Sequence, residues 1–391
     1  MVWNREKLFL ILISIVVAAC NNDRNVLPDV VYLDCQNAKS RKAGNLSDLL
    51  KDIRYVALET KDTCLLNGPT NIVLTDKYIV LDGGHESECF VFDKRDGKYL
   101  RTIGMRGDQG PMGYDGLTNP LYVVGNELFL IAEHGEKYRV FSLDNGSLLR
   151  TINGTIEGHQ WPHGYLYPLN DSTMLQYADN TKGNCEYGLQ VGTWSGEILK
   201  RFPSTNNFKK DGSLGYWVSY PPEINIYRYN GQVYYHEFTS DTIFRLTDKL
   251  ENAPVYVVGK GDRLPVPEMR NEVHEDDHFK QWIKFDYMLE TDRYLLMKNK
   301  SWNNEAFIYD KQTKQTGHLK AEQAKGFVND LNGFLPFWPI DRGRDDAENE
   351  VWAVLQPDEY MDGVEATGKN PLGMEIESDA NPIIVIGTLK E

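Results

Sequence analysis

The residues best suited to chemistry in this chain are few and scattered. His274-Glu275-Asp276-Asp277-His278 has the H-E-x-x-H form, in which two imidazoles one helical turn apart hold zinc and the glutamate activates water. A helix over 267–285 could carry both on one face with Trp282 and Phe285. The two middle positions are aspartates, however, where zinc peptidases bury apolar residues, so an acidic helix inserted between sheets is the expectation. His159 and His163 flank Trp161-Pro162 with no further ligand beside them. Cys35, Cys64, Cys89 and Cys185 form neither a CxxC pair nor a Cys/His zinc spacing. They read as small buried hydrophobes or one bridge, with the pairing left open. There is no GxSxG elbow, Walker loop or GxGxxG fingerprint, and the Gly-rich run 104–114 lacks the Lys-Ser/Thr that completes a phosphate cradle. Asp345-Asp346 reads as a solvated loop pair.

Two constellations keep a binding role in view. Asn71, Asn119, Asn225 and Asn329 with Asp330 stand at the entry of expected inner strands. If those strands line one channel, oxygen ligands converge there from several units, which would suit calcium. Asn and Asp also begin strands by bonding their own backbone, and this turn chemistry accounts for them without an ion. In the second constellation, WPHGYLY and YWVSYPP place Trp161, Tyr165, Tyr216 and Trp217 in loops. Flat rings there stack on sugars or peptides, or pack over sheet edges.

The elements that must position these residues repeat. FVFDKRDGKYLRTIG, Phe90–Gly104, returns 49 positions later as RVFSLDNGSLLRTIN, Arg139–Asn153. In each copy an apolar alternating run meets Asp-Gly or Asn-Gly and a second run follows, the pattern of a tight hairpin. A repeat of about fifty residues predicts a propeller or solenoid. Strands at 71–74, 78–82, 89–93 and 99–103 make one four-stranded module, and 121–124, 128–131, 138–143 and 148–152 a second. Gly196 stands 50 positions after Gly146 in a third, with strands at 165–169, 173–177, 187–194 and 198–202. The fourth takes 224–229, 233–237, 242–246 and 255–258, and the fifth 285–289, 293–298, 306–310 and 316–319. A sixth begins at Gly326-Phe327-Val328, continues at 351–355 and ends with 382–389. It lacks an outer strand, while Ile53–Leu58, apolar on both faces, has no module of its own. Ring closure by that strand solves both problems and removes free sheet edges. The expected fold is all-β, a six-bladed β-propeller of four-stranded antiparallel blades.

Composition agrees. At 391 residues with 22 Tyr, 33 Gly and 17 Pro, the chain suits one large all-β repeat domain rich in reversals. A net charge of -15 repels nucleic-acid backbones, so nucleic acid is excluded as a partner. The N-terminus carries an address: Arg5 and Lys7, an apolar run Leu8–Val17, then Ala18-Ala19-Cys20. That is a secretory signal, too short in its apolar run to span a bilayer. Val17-Ala18-Ala19-Cys20 resembles the lipobox of bacterial lipoproteins, in which the cysteine thiol is lipidated and becomes the mature N-terminus. The organisation expected is a signal peptide over 1–19, a tether and extension over 20–45, and the propeller over 46–391, anchored to the membrane by acyl chains at Cys20.

YVALETKDTCLL, YIVLD, FVFDKRDGKYLRTIG, the GxxGxxGPxGY crossing at 104–114, SDTIFRL, FVNDLNG and the terminal NPIIVIGTLK together resemble the six-bladed propeller lipoproteins of Gram-negative bacteria, a TolB-like group related to NHL-repeat propellers. Met112-Gly113-Tyr114 departs from the Gly-Glu-aromatic ending usual there. The resemblance implies the fold and an outer-membrane, cell-envelope address, and supplies no chemistry. WD dipeptides and a kelch double-Gly series are absent. The reading is therefore a monomeric, membrane-anchored binding module for a glycan, a peptide or an envelope protein, with no cofactor. The alternative is a hydrolase, lactonase or lyase using a channel metal such as calcium.

Overall fold

The computed structural model describes residues 30–390 apart from 67, 69–70, 84–87, 108–109, 115–120, 134–136, 154–164, 171, 179, 213–219, 221, 272–279, 301–302, 322–323, 344–346 and 348. Six small sheets follow one another along the chain. Blade 1 comprises Ile72–Leu74, Tyr78–Asp82, Cys89–Asp93 and Tyr99–Ile103, paired in that order. Blade 2 comprises Tyr122–Val124, Glu127–Ala132, Lys137–Ser142 and Leu148–Asn153, and blade 3 Tyr165–Pro168, Thr173–Tyr177, Tyr187–Thr193 and Ile198–Pro203. Blade 4 is built on Ile224–Tyr229, Gln232–Glu237, Thr242–Leu246 and Asn252–Val258, and blade 5 on Tyr287–Glu290, Tyr294–Asn299, Glu305–Asp310 and Gln315–Leu319. The first strand of each blade is the inner one, and the inner strands of blades 2 and 3, 4 and 5, and 5 and 6 lie against each other.

Three strands come from the N-terminal segment: β1 (Val31–Leu33), β2 (Lys39–Ser40) and β3 (Leu50–Ala57). β3 closes the ring as expected. It is the outer strand of blade 6, after Asp341–Arg342, Glu350–Leu355 and Ile383–Leu389, with Ala57 opposite Ile383 and Asp52 opposite Thr388. β1 and β2, which no sequence signal announces, add parallel fifth strands to the outer edges of blades 4 and 5.

Strands apolar on both faces are explained by the ring, because each sheet is covered by the next on either side. Ile79 and Leu81 pack with Ile384 and Ile386 of blade 6, while Val80 and Val91 pack with Leu128 and Leu130 of blade 2. Equivalent cores join blades 2 and 3, 3 and 4, 4 and 5, and 5 and 6. The blade 1 hairpin is wedged against β3: Gly97 has φ 72°, and a Cβ there would stand 2.0 Å from the Ala57 carbonyl oxygen.

The repeat contains a device that the sequence alignment hides. In blades 1, 2 and 3, Leu100, Leu149 and Leu199 are each the extra residue of a β-bulge in the outer strand, because pairing passes directly from one flanking residue to the other. Val255 and Lys51 occupy the same place in blades 4 and 6. The aligned leucines are therefore surface residues. A bulge twists an edge strand away from further pairing, which blunts an otherwise open edge.

Blade 6 differs from expectation in two respects. Its inner strand is Asp341–Arg342, whereas Phe327 and Val328 make only isolated bridges to Phe337 and Asn45. Between Leu355 and Ile383 lies helix α1 (Pro357–Thr367), started by Pro357 and a Gln356/Glu359 capping box and stopped by Gly368 at φ 67°. Tyr360 of α1 packs on Phe334 and Ile383. Cys35, Cys64, Cys89 and Cys185 are all free thiols, the first three buried. Among the described residues no helix is long and apolar enough to cross a membrane.

Candidate functional site: the long-connection face of blades 3 to 5

Antiparallel pairing sorts the connections. The links between first and second strands, and between third and fourth, leave one end of each blade, and these are short turns such as Asn230-Gly231. The links between second and third strands, and from one blade to the next, leave the opposite end. They include every long excursion: 104–121, 154–164, 204–223, 259–286, 320–340 and 356–382.

A buried polar network underlies this face at blades 3 to 5. Glu223 directly precedes the inner strand of blade 4 and is fully buried. Its carboxylate accepts from Arg270 Nη2 at 2.6 Å and from the Tyr220 backbone N–H at 3.0 Å. Arg270 lies in a 3-10 turn over Pro267–Asn271, donates from Nη1 to Asn206 Oδ1 at 3.1 Å, and has the Phe208 and Phe238 rings 5.5 and 5.2 Å from its guanidinium carbon. Its Nε has no partner among the described residues. Glu237, at the end of the second strand of blade 4, accepts from the Thr205 hydroxyl at 2.5 Å, and burial raises its carboxyl pKa. The connections 204–223 and 259–286 are thus pinned to each other through Asn271, whose Oδ1 accepts from the Asp211 N–H and whose Nδ2 donates to the Lys209 carbonyl, while Asn180, in the link between the second and third strands of blade 3, holds the first of them by donating from Nδ2 to Asn206 O and Asn207 Oδ1.

Beside it, Lys260 Nζ donates to the Phe238 and Ser240 carbonyls at 3.1 and 3.0 Å and lies 3.2 Å from His236 Nε2. Burial holds the Lys260 amine down at about 7. Burial and the adjacent Lys260 keep the His236 imidazole well below its ordinary value, and its Nδ1 has no partner among the described residues. Lys284, whose pKa burial also lowers, donates to Asp286 Oδ1 at 2.6 Å. Lys260 and His236 are 1% and 0% exposed. Groups sealed to that degree hold loops in place; they do not meet a substrate unless the face opens.

The sequence-predicted residues fall into three groups. Asn71 immediately precedes the inner strand of blade 1, and its side-chain amide donates to Asp82 Oδ2 at 2.8 Å. Asn225, on the inner strand of blade 4, donates to the Phe285 carbonyl at 2.7 Å and ties blade 4 to the lead-in of blade 5. Asn329 and Asp330 do not begin an inner strand. Asn329 Nδ2 donates to the Tyr55 hydroxyl of β3, and Asp330 accepts from the Ser47 N–H and hydroxyl at 2.9 and 2.5 Å, so both serve the outer part of blade 6. These four amides and carboxylates are engaged locally and separately. Among the described residues no three His, Cys, Asp or Glu side chains form a metal-holding group. Tyr165 opens the inner strand of blade 3. Cys20, Asn119, Trp161, Tyr216, Trp217, His159, His163, His274–His278 and Asp345-Asp346 lie outside the described residues. Tyr216 and Trp217 belong to connection 204–223, whose described ends the Glu223 network anchors.

Sequence reasoning missed Glu223, Glu237, Arg270, Lys260 and Lys284. Isolated charged residues in loops or at a strand end look solvated, and only the tertiary fold buries them against their partners.

Among curated proteins none matches the sequence. Among solved structures, the Bacteroides fragilis protein termed "putative exported protein" is similar over 93% of this chain and 100% of that one, with 18% identity and a TM-score of 0.66. A member of the DUF4221 family from Bacteroides vulgatus covers 88% of this chain and 97% of its own at 10% identity, with a TM-score of 0.49. The first likeness bears on fold alone and agrees with the six-bladed ring. A family model described as a domain of unknown function, DUF4934, matches residues 30–388, nearly the whole described propeller, and the chain belongs to that family.

Proposed function

We propose that this protein is an exported, lipid-anchored binding module that engages a ligand or envelope protein on its long-connection face. The observation that carries the reading is the asymmetry of the ring: every long connection leaves one end of the blades, and those of blades 3 to 5 rest on a buried charged network. Binding surfaces are commonly loops held by a rigid scaffold. The aromatic residues Trp161, Tyr216 and Trp217 belong to connections of this face. Anchorage rests on Cys20 and the apolar run before it, and the exported designation of the Bacteroides fragilis relative supports the same address. The resemblance to TolB-like, NHL-related propeller lipoproteins supports an outer-membrane location.

The test pairs a glycan array with a pull-down from envelope extract, comparing the wild-type chain with Trp161→Ala/Trp217→Ala. A glycan or protein retained by the first and lost by the second is expected, with unchanged circular dichroism. No specific partner in either format, or equal retention by both proteins, counts against the reading. Anchorage is tested separately: Cys20→Ala should move the protein from the membrane fraction to the soluble one, and continued membrane retention would sink that part.

A further inference from the structure

The N-terminal segment reaches the ring at its rim. Val31 lies beside Tyr256 on the outer edge of blade 4, and Lys39 beside Gly317 on that of blade 5, so β1 and β2 form an outer belt over these two blades. The belt then stays against the stretch that follows blade 5: the Arg41 N–H donates to the His318 carbonyl, the Val328 N–H to the Gly44 carbonyl and the Leu46 N–H to the Val328 carbonyl. Cys20 stands ten residues before Val30. A chain of that length spans at most about 36 Å when fully extended. Membrane anchorage at Cys20 therefore keeps this side of the ring within that reach of the bilayer.

The same rim carries unpaired positive charge, in a chain whose net charge is -15. Lys39 and Lys42 lie on the belt, and Lys314 and Lys320 flank the blade 5 outer strand Gln315–Leu319. Lys325 follows the turn in which the Ala324 N–H donates to the Lys320 carbonyl. All five are exposed, and none forms an ion pair among the described residues. The acidic groups along the belt are engaged: Asp34 accepts from the Asn37 N–H, Asp48 lies 3.4 Å from Arg293, and Asp330 accepts from Ser47. Glu322 lies outside the described residues. Nearer the tether the outward side chains are Val30 and Tyr32, 42% and 62% exposed. Tyrosine, an apolar ring with a polar tip, suits the boundary between lipid and water.

We propose that the rim of blades 4 and 5 rests on anionic lipid headgroups of the membrane, with Lys39, Lys42, Lys314, Lys320 and Lys325 against their phosphates and Tyr32 at the interface. The inference rests on the anchorage read from Cys20 and adds to it the side of the ring that meets the bilayer. The net negative charge does not oppose it, because exposed charges more than about 8 Å away are largely screened at physiological ionic strength. The anchor, rather than long-range attraction, brings the rim to the surface. Each lysine beside an anionic bilayer then adds about fivefold in affinity. A ring lying on its rim leaves the long-connection face open to the side, where a ligand can reach it.

Lysine acetylation read by mass spectrometry tests this on the full lipidated chain, bound to vesicles of mixed phosphatidylglycerol and phosphatidylcholine or of phosphatidylcholine alone. The five lysines should react at least about tenfold more slowly on the anionic vesicles. Lys98, Lys200 and Lys369, exposed elsewhere on the ring, should keep their rates. Salt at about 1 M, where the Debye length falls to about 3 Å, should remove the protection. Lys39→Gln/Lys42→Gln/Lys320→Gln, all at exposed positions, should deprotect Lys314 and Lys325 while leaving flotation with the vesicles unchanged. A chain that floats with both vesicles but whose five lysines react equally on each, or in which Lys98, Lys200 and Lys369 are protected instead, overturns the proposal and leaves anchorage standing. A chain that floats with neither overturns both. Protection by a soluble acidic polysaccharide but not by anionic vesicles would also overturn it, by assigning the rim to a glycan.

Discussion

Removing one partner of the Arg270–Glu223 pair should be among the most damaging single changes in the ring. The two side chains are 1% and 0% exposed and 2.6 Å apart, so Arg270→Met leaves the Glu223 carboxylate inside the protein with the Tyr220 N–H and a long contact from the Tyr177 hydroxyl but no counter-charge paired to it. Breaking a fully buried pair from one side costs about 3–5 kcal/mol, because the surviving charge keeps its desolvation penalty without its counter-charge. Losing the place between the Phe208 and Phe238 rings adds about 1 kcal/mol, while the similar bulk of Met limits any cavity. Folded domains hold only about 5–15 kcal/mol in total, so the loss is a large fraction of stability. Glu223→Gln should cost a comparable amount by stranding the guanidinium. Glu223→Gln/Arg270→Met, with no charge left buried, should be better than the sum of the two by about 2 kcal/mol or more. Equilibrium urea unfolding followed by tryptophan fluorescence measures all four proteins, with matched m-values as the check on the folded state. Single variants costing less than about 1 kcal/mol, or a strictly additive double variant, would refute the reasoning.

Three further outcomes are expected. The Lys260 amine titrates at about 7 in the fold against an ordinary 10.5, so between those values the unfolded chain holds a proton that the folded one lacks. Stability therefore rises with pH across that window and is lowest at and below its bottom; urea midpoints should climb from about pH 7 to 8.5, Lys260→Met should flatten the climb, and parallel profiles would count against it. Gly97→Ala and Gly196→Ala both force a left-handed backbone, at φ 72° and 93°, which costs about 1 kcal/mol. Only Gly97 also drives a Cβ to within 2.0 Å of the Ala57 oxygen, whereas nothing lies within 4 Å at Gly196, so its melting temperature should fall distinctly further; equal shifts would deny the wedge on β3. Leu33→Ala should cost about 2–5 kcal/mol in the same urea assay, because β1 places a fully buried side chain in the core between blades 4 and 5. A cost under about 1 kcal/mol would mean that β1 is a loosely attached strap.

Legibility in the sequence followed the range of the interaction. Asp96-Gly97 and Asn145-Gly146 announce hairpins because the turn and its two strands are neighbours in the chain, and Thr173–Tyr177, Ile224–Tyr229 and Thr242–Leu246 fall where alternation placed them. The apolar β3 could be assigned to blade 6 by counting strands, because an unmatched edge must find a partner. Helix α1 carried readable signals in Pro357, the Gln356/Glu359 box and Gly368, but these stood inside a polar insertion with no repeat to frame them. Phe327-Val328 misled as an inner strand because a short apolar pair also suits a bridge in a loop, and Asn329 and Asp330 were carried with it.

By itself the sequence determined the module, its number and its closure, since hairpin chemistry, two-sided hydrophobicity and the need to satisfy sheet edges are all set by residues close along the chain. Tertiary structure alone decided which leucines become bulges, where β1 and β2 lie, and that Glu223 meets Arg270 from the far side of a 47-residue separation. The physical reason is that a charged side chain has no local signature of burial. Its partner, and hence whether it is solvated or locked, is set only when distant blades come together.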